Sequence, residues 1–88
     1  MADNETPQAR IKRLRMRSMR RGIKEMDLIL SAFADAQLET MSEAEIQTYD
    51  ALLNENDQDL LTWVTGQVAP PDAYSALIEK ITVALHRN

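Results

Sequence analysis

The stretch RSMRRGIKEMD, residues 17–27, decides the fold because it places a lone glycine between two segments with helical spacing. Only two glycines occur in the chain, and Gly22 can adopt a left-handed backbone or let another group approach closely. We therefore predict a sharp corner between two helices at this point. Glu25 lies four residues after Arg21, so their side chains are expected to stand one turn apart on one helix face.

Apolar spacing on either side of the corner predicts the first two helices. Ile11, Leu14 and the small Ser18 recur at helical intervals, which predicts a first helix over residues 8–19. A second helix is predicted to start at residue 22 or 23. Its apolar positions recur at offsets of three, seven and ten and are expected to face the core: Ile23, Met26, Leu30 and Phe33.

The opposite side of the second helix carries residues that a merely solvated face does not require. Rotation by about 100° per residue places one column outward, consisting of Arg21, Glu25, Leu28 and Ala32. Because Leu28 is strongly apolar, this column predicts an exposed docking strip. Asp27 falls at the edge of the inward stripe, and we expect it to pair with an arginine of the first helix or to cap the corner.

Capping and breaking residues mark three further helices. Ser42 followed by Glu45 is the pattern of a capping box and predicts the start of the third helix. Asp57 is the predicted N-cap of a fourth helix, which Gly66 ends. The paired prolines at 70–71 break the chain before a fifth apolar stripe.

These segments predict an all-α fold, a compact bundle of five short antiparallel helices with sequential neighbours in contact. No segment alternates like a β-strand. Residues 1–7 are polar and end in a proline, so we expect them to be a disordered lead. Residues 8–88 are expected to form a single helical-bundle domain.

The distribution of charge is more informative than its sum of −4. Residues 1–24 carry eight of the ten Lys and Arg against two acids, a net charge of +6, whereas residues 25–88 carry −10. The first helix is therefore cationic, and nucleic-acid binding is the function it suggests first. The acidic remainder and the sequence pI of about 4.8 oppose that function, and we expect no nucleic-acid partner.

The residue inventory gives no reason to expect a catalytic, cofactor-binding or metal site. The only histidine, His86, lies two residues from the end of the chain, and there is no cysteine. Isolated glycines do not make a phosphate-binding loop. No apolar run approaches the roughly 20 residues that span a bilayer, so a membrane partner is not expected either.

The chain resembles the succinate dehydrogenase FAD-assembly factors in several segments that follow one another in the same order. The segment at 17–30 contains that family's Arg-Gly-x-x-Glu signature. Further similarity covers Phe33-Ala34-Asp35, the capped segment 41–45, Tyr49 with residues 51–53, residues 57–66, and the prolines at 70–71. The resemblance extends over about residues 9–80.

This resemblance implies a small five-helix protein that is not an enzyme. It implies binding to the flavoprotein subunit of succinate dehydrogenase, promoting covalent attachment of FAD to a histidine of that subunit, with fumarate reductase as a second candidate client. The FAD belongs to the client, so no stably bound cofactor is expected. The docking residues it implies are Arg21, Gly22 and Glu25, with Arg17 and Asp27 as further members, and the outward column adds Leu28.

Two further expectations complete the sequence interpretation. The alternative function is a nucleic-acid-binding or regulatory helical protein that uses the basic N-terminal helix. The protein is expected to act as a monomer in a bacterial cytoplasm rather than in a mitochondrial matrix, because its N-terminal arginines continue into the corner itself and are preceded by Asp3 and Glu5.

Overall fold

The computed structural model describes residues 5–86, which form an all-α structure. Five α-helices are present in this range, and a 3-10 turn, Leu38–Thr40, follows the second. The helices are α1 (Pro7–Ser18), α2 (Lys24–Gln37), α3 (Glu43–Leu52), α4 (Asp57–Val64) and α5 (Asp72–Leu85). The predicted fold class is confirmed. None of these helices is both long and apolar enough to cross a membrane.

The start of α1 lies earlier than the predicted domain boundary at residue 8. Thr6 is the N-cap, and its hydroxyl accepts a hydrogen bond from the Ala9 amide at 3.1 Å. Pro7 is the first helical residue, where its fixed φ and missing N–H suit the helix. The predicted disordered lead therefore does not extend to residue 7, and its residues 1–4 lie outside the described residues.

Local capping signals position the N-termini of α3 and α4. The capping box of α3 is confirmed, because Ser42 Oγ accepts from the Glu45 amide at 3.2 Å and Glu45 accepts from the Ser42 amide at 2.9 Å. In α4 the N-cap is Asn56, whose side chain accepts from the Gln58 amide at 2.7 Å. The prediction of Asp57 as N-cap is wrong, since Asp57 is the first helical residue.

The core lies around α2 and α5. Helix α2 packs against α1, α4 and α5, and α5 also packs against α3 and α4. The predicted inward stripe of α2 is confirmed, because Met26, Leu30 and Phe33 are buried and Ile23 is partly buried against them. Removing a side chain such as that of Leu30 from water contributes about 2 kcal/mol. Contact is not confined to sequential neighbours, since α3 packs on α5.

A buried pair of hydroxyl groups joins α1 to α3. Ser18 Oγ donates to the Leu14 carbonyl at 2.8 Å and lies 2.6 Å from the hydroxyl oxygen of Tyr49, which therefore acts as the donor between them. Both side chains are fully buried. Burial raises the pKa of Tyr49 to about 12. This pair places the last turn of α1 at a defined position on the core.

Ion pairs attach the outer face of α1 to the rest of the bundle. Arg10 binds Glu43 through two bonds of 2.8 and 2.7 Å, and Arg13 and Arg17 share the carboxylate of Asp50. Hydrogen bonds from these arginines hold the pKa of Asp50 below its usual value and lower the pKa of Glu43 to about 2. The cationic helix is therefore bound to acidic groups of the same chain.

The two hydroxyl groups of the buried pair are expected to be energetically coupled. Ser18→Ala leaves the Tyr49 hydroxyl with only the Leu30 carbonyl at 3.5 Å, so the free energy of unfolding should fall by about 1–3 kcal/mol. Tyr49→Phe should cost less, because Ser18 retains its bond to Leu14. Urea denaturation of the two single variants and the double variant should give a coupling of about 1 kcal/mol. Strict additivity would contradict the contact.

Acidification is expected to weaken the attachment of α1. The folded pKa values of Glu5, Glu43 and Asp50 lie below the ordinary values of 4.5 for Glu and 3.8 for Asp. Such groups stabilise the fold above their unfolded pKa, and this contribution is lost as the pH falls through the folded pKa. The free energy of unfolding, measured in urea, should therefore drop between about pH 5 and about pH 2.

The matched variants for this measurement are Asp50→Asn and Glu79→Gln. Asp50→Asn should lower stability at neutral pH by about 1 kcal/mol and reduce the fall on acidification. Glu79 is exposed on α5 and makes no ion pair among residues 5–86, so Glu79→Gln should leave the profile unchanged. An unaltered profile in Asp50→Asn would contradict the assigned role of the ion pairs.

Candidate docking site

The corner between α1 and α2 has its left-handed residue at Arg20. The φ angle of Arg20 is 55°, whereas Gly22 is not among the residues with positive φ. Gly22 therefore does not have the left-handed backbone that was one of its two predicted properties. The other prediction, that a second group approaches it closely, is confirmed. The approaching group is the carboxylate of Asp57, at the start of α4.

Gly22 and Asp57 meet through the backbone. The Gly22 amide donates to Asp57 Oδ2 at 2.6 Å. A Cβ atom added at Gly22 would lie 3.2 Å from the same oxygen, so any side chain here would press on a carboxylate that is already engaged. A side chain at position 22 would have to displace this carboxylate by a few tenths of an ångström, so the neighbouring acid favours glycine here.

Arg21 does not stand on the outward column with Glu25. Its side chain is only 10% exposed, and its Nε donates to Asp57 Oδ1 at 2.8 Å. The guanidinium also donates to the carbonyls of Arg17 at 3.0 Å and Leu53 at 3.2 Å. The prediction that Arg21 and Glu25 stand on one helix face is therefore wrong, because Arg21 precedes α2 and turns toward the α3–α4 connection.

The electrostatics of this contact are favourable at each helix end. Arg17 lies in the last turn of α1 and Leu53 caps the end of α3, where backbone carbonyls carry partial negative charge. Asp57 lies in the first turn of α4, where a negative charge is stabilised. We call Arg21, Gly22 and Asp57 the corner brace, because these residues join three helix ends.

The outward side of α2 is exposed as predicted. Glu25 and Ala32 are exposed, and Leu28 is 64% exposed although it is large and apolar. Leu28 also opens onto an apolar groove of about 400 Å³ between α2 and α5, whose walls include Ala32, Ala36, Ile81 and Leu85. We call Gly22, Glu25 and Leu28 the corner surface.

Two other predicted docking residues are occupied within the molecule. Arg17 donates to the carboxylate and carbonyl of Asp50 and, at 2.6 Å, to the side chain of Asn54. Asp27 is half-buried and accepts from Ser31 Oγ at 3.3 Å. The expected pairing of Asp27 with a first-helix arginine is absent from the described residues, because those arginines bind other acids.

The basic helix is not a free cationic surface. Of the eight cations before Glu25, five are arginines with ion-pair partners within the described part of the chain: Arg10, Arg13, Arg15, Arg17 and Arg21. Their charges are compensated at short range, which removes most of the phosphate-binding potential of α1. The nucleic-acid alternative is not supported.

The corner has the chemistry of a contact surface. Gly22, Glu25 and Leu28 include no nucleophile, and residues 5–86 contain no group of three or more His, Cys, Asp or Glu side chains placed to hold a metal ion. The sequence interpretation missed Asp57 and Arg20. Asp57 was interpreted as an N-cap because aspartate is common at that position. Arg20 was missed because arginine is not a residue type that predicts a positive φ.

A family model described as the flavinator of succinate dehydrogenase matches residues 12–84. Three similar relatives each bear the name succinate dehydrogenase assembly factor 2, mitochondrial. The chain is 49% identical to that of Komagataella phaffii over 69% of its own length and 32% of the relative. It is 48% identical to the Candida glabrata relative, over 70% of its own length and 40% of the relative. It is 39% identical to the Schizosaccharomyces pombe relative, over 82% of its own length and 52% of the relative. The chain thus spans about a third to a half of these relatives.

These matches correct one expectation and settle the family. The bacterial cytoplasm expected from the sequence is contradicted, because all three relatives are named as mitochondrial proteins. The family match includes α2, α3 and α4, most of α1 and most of α5. It therefore contains the corner brace and the corner surface, and the chain belongs to the family of flavinators of succinate dehydrogenase.

Proposed function

We propose that this chain binds the flavoprotein subunit of succinate dehydrogenase through the corner surface and promotes covalent attachment of FAD to that subunit. The observation that carries the proposal is the state of Glu25 and Leu28. Both are exposed on α2 three residues apart, and Glu25 has no hydrogen bond or ion pair among residues 5–86. Nothing in the described part of the fold requires either side chain.

The composition of the corner surface supports docking to a protein. An exposed leucine supplies apolar area, and an adjacent carboxylate supplies a directional hydrogen-bond acceptor, which is the usual pairing at interface centres and rims. Gly22 is exposed and has no side chain, so a client segment can approach the backbone at this point. The corner brace holds these groups in one arrangement before the client arrives.

The proposed role of the chain is positioning, without a catalytic group of its own. FAD and the histidine that accepts it belong to the client, and this chain holds no FAD stably. Docking restrains the client region that carries the acceptor histidine, and a fixed geometry lowers the barrier by reducing the entropy lost on reaching the transition state. In this proposal neither the corner surface nor the corner brace donates or accepts a proton in the reaction.

The proposal includes two finer points on partners. Fumarate reductase carries a related flavoprotein subunit and is proposed as a second client. The chain is also proposed to act as a monomer, since residues 5–86 bury a core within a single chain.

Glu25→Ala is expected to reduce docking at only a small cost in stability. The carboxylate makes no hydrogen bond or ion pair within the described residues, but it lies in the first turn of α2, so its loss should lower the melting temperature by a few degrees at most. Covalent flavin on the purified client, measured by in-gel fluorescence after incubation with FAD, should form at least roughly tenfold more slowly, as expected for loss of a central interface contact.

The matched control is Glu79→Ala, which removes one exposed carboxylate from the surface of α5. Its flavinylation rate should equal that of the unaltered protein. A folded Glu25→Ala protein that supports flavinylation at the full rate would remove the corner surface from the mechanism.

A further inference from the structure

Arg20 has a backbone conformation that an arginine adopts only at a cost. Its φ of 55° lies in the left-handed region, where the Cβ of an ordinary residue crowds the backbone. Glycine or asparagine would occupy the same position with less strain. Strained residues of this kind persist where the surrounding structure fixes the backbone, and they cluster at functional sites.

The brace of Arg21, Gly22 and Asp57 holds this backbone in place, and the side chain of Arg20 takes no part in it. Arg20 is exposed and makes no side-chain hydrogen bond or ion pair among residues 5–86, in contrast to Arg17 and Arg21 on either side. Lys24 is likewise exposed without an ion pair in that range. Two available cations therefore flank Gly22 in the sequence, and Lys24 directly precedes Glu25.

We infer that Arg20 is a client-docking residue whose guanidinium binds a carboxylate of the flavoprotein subunit. This inference rests on the proposed function and adds a residue to it. The left-handed backbone sends the chain out of α1 so that Arg21 turns inward to Asp57 while Arg20 remains exposed at the corner. Arg21 thus stabilises the corner, and the adjacent Arg20 binds the client.

A carboxylate suits this position better than the phosphates of FAD. A planar guanidinium binds a carboxylate through two parallel hydrogen bonds. A phosphate site at a corner would use backbone N–H groups as well, and the Gly22 amide is already donated to Asp57. Because residues 25–88 carry a net charge of −10, Arg20 and Lys24 also mark the place where an acidic segment meets least repulsion.

The test compares stability with client affinity in four variants. The main variant is Arg20→Gly, which removes the cation and relieves the left-handed strain. Arg20→Lys retains the charge, and Arg20→Asn tolerates the backbone without a charge. Lys12→Ser removes an exposed cation that lies about 9 Å along the helix axis from the end of α1. Affinity for the purified apo-flavoprotein subunit is measured by titration calorimetry at low and high salt, with melting temperatures alongside.

The expected pattern separates binding from structure. Arg20→Gly should raise the melting temperature by roughly 2–5 °C and weaken client binding roughly tenfold, with a smaller salt dependence. Arg20→Asn should weaken binding similarly and gives the same readout should Arg20→Gly fail to fold. Arg20→Lys should retain most of the affinity, and Lys12→Ser should bind like the unaltered protein.

Three results would overturn the inference. Full affinity in Arg20→Gly together with weak binding by Glu25→Ala would remove Arg20 and leave the proposed function intact. Equal losses in Lys12→Ser and Arg20→Asn would show an effect of net charge alone. Binding of free FAD that disappears in Arg20→Gly would assign the guanidinium to phosphate. If the unaltered chain does not bind the apo-subunit at all, the proposed function fails first.

Discussion

The contact between Arg21 and Asp57 is the interaction on which the corner between α1 and α2 depends. One carboxylate accepts from the guanidinium through Oδ1 and from the Gly22 amide through Oδ2. The same guanidinium reaches carbonyls at the ends of α1 and α3. One charged pair thereby holds three helix ends. The charge of each partner is opposite in sign to the partial charge of the helix end that it contacts.

Two consequences follow for the molecule. The separation of charge along the sequence serves mainly to attach α1. Four arginines of this helix, and Arg21 just after it, bind acids from the N-terminal segment, α2, the 3-10 turn, α3 and α4. The groups left exposed at the corner are then few and specific. Glu25 and Leu28 project from a helix whose other face is packed into the core, so their separation is fixed by the fold.

Features that depend on neighbours three or four residues apart could be predicted from the sequence. The capping box at Ser42, the buried stripe through Met26 and Leu30, and the exposure of Leu28 all depend on such short spacings. Each was confirmed because local geometry alone determines it.

Features that depend on distant partners could not be predicted in this way. Arg21 and Asp57 are 36 residues apart, and Arg17 and Asp50 are 33 apart. A single sequence contains no signal that pairs them. Asn and Asp are equally good N-caps, so the sequence could not show that Asn56 caps α4 in place of Asp57. Because Asn56 is the cap, the carboxylate of Asp57 is available for the corner brace. The family could be identified because it depends on ordered motifs rather than on these contacts.

Hydrogen exchange of the Gly22 amide tests the corner brace most directly. Gly22 is exposed, and an exposed glycine amide without a partner exchanges at the rate of an unfolded chain. Because this amide donates to Asp57 at 2.6 Å, its exchange in the free protein should be slowed at least roughly tenfold, and Asp57→Ala should abolish the protection. Exchange at the unprotected rate in the unaltered protein would contradict the account.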